Sequence, residues 1–349
     1  MSVKVSVIMP SLNVGKYIEE CLKSVMRQSL KDIEIICVDA GSTDGTLEIL
    51  QAAAARDTRI KIINSDRKSY GYQVNLGLDA ATGEYIGIVE TDDWAEPLMF
   101  EKLYEAAVQD NLDVVKSDFW FYWSNPVKNV LYKIPKVFIS MGVFYPLADF
   151  ENFVDQAEFF NIKPSIWSAI YKRSFLEQNG IRLNETPGAS FQDCGFNFKV
   201  MTLATRVRLV KDAYLHYRQD NEASSVNSPS KVYCVCDEYK AISEFIEKTF
   251  TGVTQKMVYG IAEMLKFDNY MWNYSRLSEN LGQEFLLETS KEMAADVLEG
   301  RAQPSYFPSF KWEMLKKWVN DPEGFAAECK ESRKISFFGR IIRKLKRSL

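Results

Sequence analysis

Three acidic side chains, Glu90, Asp92 and Asp93, follow directly on an apolar run of the sequence, IGIV at residues 86–89. Burial and mutual repulsion both oppose such crowding, so the arrangement calls for a compensating positive charge. Magnesium and manganese prefer carboxylate oxygens and often share their coordination with substrate phosphates. We therefore expect a divalent metal that bridges Asp92 or Asp93 to a diphosphate. The alternative is a solvated turn at a strand end, in which Asp93 caps a helix near Pro97.

A second polar cluster, DAGSTDGT at residues 39–46, contains two glycines that permit a tight turn. Asp39 ends an apolar run, so its carboxylate can accept hydrogen bonds from a base N–H group or from ribose hydroxyls. The alternative is a helix-capping turn that uses Ser42, Thr43 and Asp44. The cluster is not a dinucleotide fingerprint, because the pattern G-x-G-x-x-G is absent from it.

The elements that position these residues alternate along the first hundred residues. Four strand patterns, separated by helical patterns, occupy residues 3–11, 32–40, 59–65 and 84–90. Such alternation predicts a mostly parallel sheet flanked by helices. Ligands of these sheets bind outside the carboxyl ends of the strands, which is where the polar clusters fall.

The later parts of the chain differ from this pattern. The sequence is helical from about residue 231, and the last part is a basic amphipathic segment with seven basic residues and no acidic one. We therefore expect three parts, at residues 1–230, 231–330 and 333–349. The last part suits an anionic membrane surface. The alternatives for it are a terminal helix docked on the body and a disordered tail.

The composition excludes several classes of protein. Of the 349 residues 46% are apolar and 26% charged, and a net charge of −4 gives no general case for nucleic-acid binding. No apolar stretch approaches the length of a membrane span, and the chain opens on a strand pattern instead of a signal peptide. We interpret the six cysteines as reduced thiols of a cytoplasmic protein. The single histidine, His216, excludes a metal site built from several histidines.

Together, these segments resemble the family 2 glycosyltransferases, whose nucleotide-sugar-binding domain has the GT-A fold. The resemblance is carried, in order, by VSVIMPSLNVGKYIEECLKSVMRQS, IEIICVDAGSTDGT, GYQVNLGLDAATGEYIGIVETDDW, IWSAIYKRSFL, FQDCGFNFK and YLHYRQDNEASS. Each segment alone is weak, whereas the ordered set over roughly residues 3–225 is specific. It implies an α/β protein with a Rossmann-like, mostly parallel GT-A sheet, followed here by a helical C-terminal region.

The resemblance implies roles for individual residues. The loop that lines the nucleotide corresponds to Pro10, Ser11 and Asn13. Asp39 corresponds to the aspartate that binds the base, usually uracil, and Asp92 to the metal-binding aspartate, with Asp93 beside it. Where the family usually has aspartate this chain has Glu90, which keeps the charge but reaches farther. The resemblance therefore does not assign Glu90 a direct contact with the metal.

Other candidates lie farther along the chain. Asp193 corresponds to the general base of inverting members, although it is equally suited to cap the helix that follows. The residue before it is Gln192, where an acidic pair is common. The region after the strand with His216 and Arg218 would close over the diphosphate. Arg218 can then pair with a phosphate through two N–H groups, and His216 is a candidate metal ligand or phosphate donor, or a structural residue.

Two further contacts are expected at the edges of this site. The segment with Asp66, Arg67, Lys68 and Tyr70, ahead of the third helical pattern, would touch the base or ribose. Trp167 would line the acceptor side or belong to the aromatic core.

We therefore expect an inverting, hexosyltransferase-like enzyme that uses Mn²⁺ or Mg²⁺ and moves a sugar from a UDP-sugar to a glycan or lipid-linked saccharide. Cell-surface polysaccharide biosynthesis, at the inner face of the cell membrane, is the expected setting. The helical region would form the acceptor side or a homo-oligomer contact. No nucleic-acid partner is expected.

Three other functions are alternatives to this one. A processive polysaccharide synthase would add transmembrane helices and a Q-x-x-R-W motif, and the sequence has neither. A nucleotidyltransferase would usually carry a basic, glycine-rich signature near its N-terminus, where this chain has PSLN, and would release pyrophosphate. A non-catalytic, membrane-associated scaffold stays open because of Glu90 and Gln192.

Overall fold

The computed structural model describes residues 2–221 and 231–334, which form two compact units. The first unit contains residues 2–146 and 165–221, and the second contains residues 147–164 and 231–334. All the predicted site residues belong to the first unit. The predicted basic tail at residues 333–349 lies outside the described residues, apart from its first two.

The first unit begins with the alternation that the sequence predicts. Its elements are β1 (Val5–Ser11), α1 (Ile18–Met26), β2 (Ile33–Asp39), α2 (Thr46–Ala54), β3 (Ile60–Asn64), α3 (Tyr70–Ala80) and β4 (Tyr85–Ile88). Every residue of β1 and β2 is buried, as expected for parallel strands covered on both faces. β1 pairs in parallel with β2 and β4, and β2 pairs in parallel with β3. The ends of these strands therefore meet at one edge of the sheet.

The chain then adds shorter elements. They are β5 (Trp94–Ala95), α4 (Met99–Gln109), β6 (Val114–Ser124), β7 (Val127–Tyr132), α5 (Lys136–Ile139), β8 (Val143–Phe144), α6 (Phe153–Phe160), β9 (Ala169–Lys172), α7 (Arg173–Gln178), α8 (Gln192–Leu203) and β10 (Val207–Arg218). Of these, α6 belongs to the second unit. The aromatic region after residue 124, which shows no regular pattern in sequence, thus contains two short helices and two short strands before residue 161.

In the described part of the chain the sheet has ten strands, eight of them in the order β3-β2-β1-β4-β9-β6-β10-β5. β7 pairs with β6, and β8 pairs with β10. β9 runs antiparallel to β4 and β6, whereas β6 and β10 are parallel. The predicted α/β class, a mostly parallel sheet flanked by helices, is confirmed.

Helix α3 packs closely against β1. A Cβ atom added to Gly77 would lie 2.4 Å from Cγ2 of Ile8, so a larger residue would push the helix off the strand. The helical pattern in the sequence, QVNLGLDAAT, predicts a start at Gln73. The helix begins three residues earlier, at Tyr70, because Ser69 caps it by accepting a hydrogen bond from the backbone amide of Tyr72 at 3.2 Å. This early start brings Tyr70 onto the helix.

The second unit is helical. With α6 it contains α9 (Cys234–Thr249), α10 (Gly252–Arg276), α11 (Glu279–Leu298), α12 (Ser309–Asn320) and α13 (Pro322–Lys334). Most of the second half of α10 is buried, and it includes Lys266, whose ammonium pairs with Asp296 and Glu292 at 2.6 Å each. Among residues 2–221 and 231–334, no helix combines the length and the apolar character needed to cross a membrane.

Candidate active site at the carboxyl ends of the strands

Glu90, Asp92 and Asp93 form an acidic group just beyond the end of β4. One carboxylate oxygen from each residue lies within 4.8 Å of the other two. Asp93 is buried, with 1% of its surface exposed, while Glu90 and Asp92 are half-buried. Burial, followed by the charges of Asp92 and Glu90, raises the pKa of Asp93 well above its usual value. The group therefore concentrates negative charge that a cation would relieve.

The two oxygens of Asp93 differ in their surroundings. Oδ1 accepts a hydrogen bond from the backbone amide of Arg218 at 2.8 Å. Oδ2 is buried and has no hydrogen-bond donor among the described residues. An unpaired buried carboxylate oxygen is costly, and hard divalent cations bind such oxygens. The acidic group therefore fits a divalent metal ion.

Arg218 contacts the acidic group through both its backbone and its side chain. Its side chain, 3% exposed, lies between the rings of Tyr17 and Tyr122, with ring centroids 4.7 Å and 4.9 Å from the guanidinium carbon. Its Nε donates to the backbone carbonyl of Asp92 at 2.8 Å, and its Nη2 pairs with Glu20 at 2.5 Å. These contacts with the protein occupy much of the guanidinium. The predicted contact of Arg218 with a phosphate stays a prediction.

His216, two residues before Arg218 on β10, has other partners. Its ring stacks on Trp94 at 3.5 Å between centroids. Its Nδ1 lies 3.0 Å from the Asn129 side-chain amide, and its Nε2 lies 3.0 Å from Glu96 Oε1. Burial lowers the pKa of His216 despite the opposing effect of Glu96, so the ring is neutral near pH 7. Both nitrogens that could bind a metal therefore face protein groups. These contacts favour the structural alternative for His216, and both roles stay predictions.

The loops after β1 and β2 are joined by hydrogen bonds. The buried carboxylate of Asp39 accepts from the amides of Gly41 and Ser42 at 2.9 Å and from the Ser42 hydroxyl at 2.5 Å. Asn13 has a left-handed backbone with φ of 52°. The backbone amide of Asn13 donates to Ser42 Oγ, and its side-chain Oδ1 accepts from the backbone amide of Thr43, both at 2.9 Å. The structure therefore brings the predicted nucleotide residues Asn13 and Asp39 together.

The end of β1 is tied to two neighbouring segments. The carbonyl of Pro10 accepts a hydrogen bond from the Thr91 hydroxyl at 2.8 Å, which joins it to the acidic loop. The carbonyl of Ser11 accepts from Gln73 Nε2 at 2.8 Å, and the same nitrogen donates to the carbonyl of Val38 at 2.7 Å. Residues predicted to line the nucleotide thus adjoin both the acidic group and α3.

Asp66 and Arg67 lie on an exposed segment after β3. Arg67 pairs with Glu185 at 3.0 Å, and its guanidinium carbon lies 4.3 Å from the centroid of the Tyr72 ring. A hydrogen bond to Asp66 raises the pKa of Tyr72. These contacts fix the segment on the surface, and its contact with a base or ribose stays a prediction.

Asp193 is the second residue of α8, where a carboxylate suits the helix N-terminus. Its Oδ1 accepts a hydrogen bond from the amide of Cys194 at 3.0 Å. Burial, followed by the charges of Glu90 and Asp193, raises the pKa of Tyr70 well above its usual value. Tyr217 is affected in the same direction by burial and by the same two carboxylates. The charges of Asp193 and Glu90 therefore act on the same two tyrosines.

Gln192 stabilises the loop that leads to Asp193. Its Nε2 donates to Thr186 Oγ1 at 2.9 Å and to the carbonyl of Gly188 at 3.1 Å, and its Oε1 accepts from the amide of Ser190. The glutamine thus has a structural role that an acidic residue would not reproduce, since a carboxylate has no N–H donor.

Two aromatic residues in this part of the chain have well-defined partners. Trp167 is buried and packs against Phe119 and Tyr217, with ring centroids 4.7 Å and 4.9 Å away, so it belongs to the core. Tyr70 donates a hydrogen bond to Glu90 Oε1 at 3.2 Å. Sequence reasoning grouped Tyr70 with the nucleotide segment and missed this contact. A helix start at Ser69, a good capping residue, was the available signal.

Comparison with known proteins identifies the family. Residues 6–190 match the family model described as glycosyl transferase family 2, which is more than half of the chain. The chain belongs to glycosyl transferase family 2. It is therefore a glycosyltransferase, and the predicted family and enzyme class are confirmed.

Relatives of this family 2 glycosyltransferase agree with the assignment. The chain is 31% identical over 265 residues to the uncharacterized glycosyltransferase EpsJ of Bacillus subtilis, covering 76% of this chain and 73% of the relative. It is 30% identical over 233 residues to the cholesterol galactosyltransferase of Borreliella burgdorferi, covering 64% of this chain and 62% of the relative. The match therefore spans less than two thirds of the second relative.

The fold also matches a solved structure. Residues 1–349 of S. aureus TarS, in complex with UDP-GlcNAc, superpose with a TM-score of 0.69 at 18% identity, covering 95% of this chain and 92% of that one. The predicted GT-A fold of this family 2 glycosyltransferase is confirmed.

Proposed function

We propose that this family 2 glycosyltransferase is a metal-dependent, inverting enzyme. It moves a sugar from a UDP-sugar to a glycan or lipid-linked saccharide in cell-surface polysaccharide biosynthesis. The observation that carries the proposal is the acidic group of Glu90, Asp92 and Asp93. The buried Oδ2 of Asp93 has no hydrogen-bond donor within residues 2–221 and 231–334.

The donor site is proposed at the edge formed by the ends of β1, β2 and β4. Asp39 and Asn13 meet there through Ser42, and the Pro10 carbonyl joins that edge to the acidic loop. The neighbour TarS was solved with UDP-GlcNAc, and its similar fold supports a UDP-sugar as the donor here. Asp39 would accept hydrogen bonds from the uracil.

The acidic group would hold the metal. Asp92 and Asp93 are the proposed ligands, with Glu90 as a third carboxylate within reach. When bound, Mn²⁺ or Mg²⁺ supplies positive charge that stabilises the diphosphate leaving group. Arg218 fixes the backbone of Asp92 and one oxygen of Asp93, so the carboxylates are preorganised.

Asp193 is the proposed general base. It would take the proton from the acceptor hydroxyl, which attacks the anomeric carbon on the face opposite the diphosphate. This single displacement inverts the configuration and needs no covalent nucleophile. Because Gln192 is neutral, Asp193 carries no neighbouring like charge at the preceding position.

The acceptor and the setting are inferred from one relative and from the sequence of the C-terminal segment. The name of the Borreliella relative, a cholesterol galactosyltransferase, supports an acceptor attached to a lipid. The basic amphipathic pattern at residues 333–349 supports contact with an anionic membrane surface at the cytoplasmic face. The helical second unit is proposed to contribute to acceptor binding or to a homo-oligomer.

Turnover of defined donors tests the proposal. The enzyme is incubated with Mn²⁺ and UDP-GlcNAc or UDP-galactose, with water as the acceptor, and released UDP is measured. We expect UDP release and a sugar of inverted anomeric configuration. Asp193→Asn should lower the rate by about a hundredfold or more, whereas the exposed control Asp212→Asn should stay within about twofold.

Other outcomes separate the competing functions. Given UTP and a sugar 1-phosphate in place of the UDP-sugar, a nucleotidyltransferase would form the UDP-sugar and release pyrophosphate. Retained configuration, or full activity of Asp193→Asn, would contradict the assignment of Asp193. Failure to bind or turn over any UDP-sugar would favour the scaffold.

A further inference from the structure

We propose that Tyr70 is a positioning residue that fixes the Glu90 carboxylate within the acidic group and connects that group to the loop that precedes Asp193. The inference rests on the proposed metal-dependent function, because it concerns how the metal-binding carboxylates are held. It assigns to Tyr70 a role in metal affinity.

Glu90 needs such a partner more than its neighbours do. A glutamate side chain has one more rotatable bond than an aspartate, so ordering it costs more conformational entropy. The Tyr70 hydroxyl donates to Glu90 Oε1 at 3.2 Å. Asp93 is already fixed by the amide of Arg218, and Asp92 accepts from Asn221 at 2.8 Å. Each of the three carboxylates therefore has a contact that restricts it, and Tyr70 supplies one to Glu90.

The position of Tyr70 is itself well defined. It is the first residue of α3, directly after the buried capping residue Ser69. The next residue, Gly71, lies so close to the loop after α7 that an added Cβ would be 1.9 Å from the carbonyl oxygen of Asn184. A side chain at position 71 would thus push the helix and this loop apart. The close packing limits the movement of the tyrosine.

The backbone of Tyr70 connects the acidic group to the loop before Asp193. Its amide donates to the carbonyl of Gly188 at 2.9 Å, and the amide of Gly188 donates to the carbonyl of Lys68 at 2.8 Å. Gln192, next to Asp193, also donates to the Gly188 carbonyl, at 3.1 Å. One residue thus contacts Glu90 through its side chain and the Asp193 loop through its backbone.

Tyr70→Phe tests the side-chain contact, because it removes the hydroxyl and keeps the ring. The matched control is Tyr104→Phe, which removes another tyrosine–glutamate hydrogen bond, to Glu84 at 2.8 Å, on helix α4. Binding of Mn²⁺ in the presence of UDP is followed by the loss of the free-ion electron paramagnetic resonance signal. We expect Tyr70→Phe to weaken Mn²⁺ binding by about tenfold and Tyr104→Phe to leave it within about twofold.

A double-mutant cycle with Glu90→Gln separates positioning from a general structural effect. If Tyr70 acts through Glu90, Tyr70→Phe should change Mn²⁺ affinity by less than about twofold when Glu90→Gln is already present. Equal effects in both backgrounds would overturn the inference, as would unchanged Mn²⁺ affinity of Tyr70→Phe beside normal binding by the wild type. Failure of the wild type itself to bind Mn²⁺ with UDP would instead overturn the proposed metal-dependent function, and this inference with it.

Discussion

The backbone amide of Arg218 donates to Asp93 Oδ1 at 2.8 Å, while the other oxygen of the same buried carboxylate has no donor among the described residues. One residue of β10 therefore fixes the orientation of the carboxylate and leaves Oδ2 for a ligand. The guanidinium of Arg218 also holds the carbonyl of Asp92 at 2.8 Å. This arrangement separates the parts of the acidic group that support the fold from those that would bind metal.

Asp93→Asn should weaken Mn²⁺ binding by about tenfold or more, because the amide keeps the size of the side chain and removes its charge. The free protein should melt at the same temperature or higher, since burial and two neighbouring carboxylates already oppose a charge at this position. Calorimetry of Mn²⁺ with UDP and a thermal melt without metal measure the two effects. The exposed Asp212→Asn is the control. Unchanged Mn²⁺ affinity would exclude Asp93 as a ligand.

Arg218→Lys should destabilise the protein by about 2 kcal/mol or more. Lysine cannot replace the stacking of the guanidinium on Tyr17 and Tyr122, and it cannot donate hydrogen bonds from a planar group with several N–H donors. Chemical denaturation measures the change, with the exposed Arg27→Lys as the control. A variant of normal stability that has lost UDP affinity would instead support direct phosphate binding by Arg218.

His216→Asn should leave Mn²⁺ affinity within about twofold of the wild type, because both ring nitrogens already face Asn129 and Glu96. Loss of the stacking on Trp94 should lower the melting temperature. A fall in Mn²⁺ affinity of about tenfold or more would show that His216 exchanges its protein partners for the metal.

Glu34→Gln should destabilise the protein near neutral pH and much less in acid. Burial would raise the pKa of Glu34, but hydrogen bonds from Lys61, Ser6 and Thr82 outweigh it and lower the pKa to about 2 from an ordinary value of 4.5. Because the folded pKa is the lower one, the ionised group stabilises the fold above about pH 4.5. That contribution, about 2 kcal/mol, is lost as the pH falls toward 2.

Thermal melts of the wild type and Glu34→Gln between about pH 7 and about pH 3 test this linkage. The difference in melting temperature should narrow as the pH falls through the range below about 4.5. The exposed Glu48→Gln serves as the control for general acid effects. A difference that is the same at every pH would contradict a lowered pKa for Glu34.

The order of strands and helices from β1 to β4 could be predicted from the sequence, because buried parallel strands and amphipathic helices leave recognisable hydrophobic patterns. The acidic residues after β4 and the cluster after β2 could be assigned to one sheet edge for the same reason. The start of α3 was placed too late, since a propensity pattern beginning at Gln73 hid the cap at Ser69. That error concealed the contact of Tyr70 with Glu90.

Contacts between distant residues could not be predicted from the pattern. Arg218 and Glu20 are far apart in sequence, as are His216 and Glu96, and each pairing depends on where β10 enters the sheet. Residues 147–164 join the helical second unit although they interrupt the first. The hydrophobic pattern of residues 147–164 does not predict that this segment leaves the first unit, because the unit that it joins depends on tertiary packing.

Calorimetric binding of UDP, first with Mn²⁺ and then with EDTA, tests the central claim most directly. The account predicts binding with Mn²⁺ that is lost with EDTA and is weakened by about tenfold or more in Asp92→Asn. Equal UDP affinity under both conditions, and in Asp92→Asn, would contradict the claim that the acidic group binds a metal and, through it, the diphosphate.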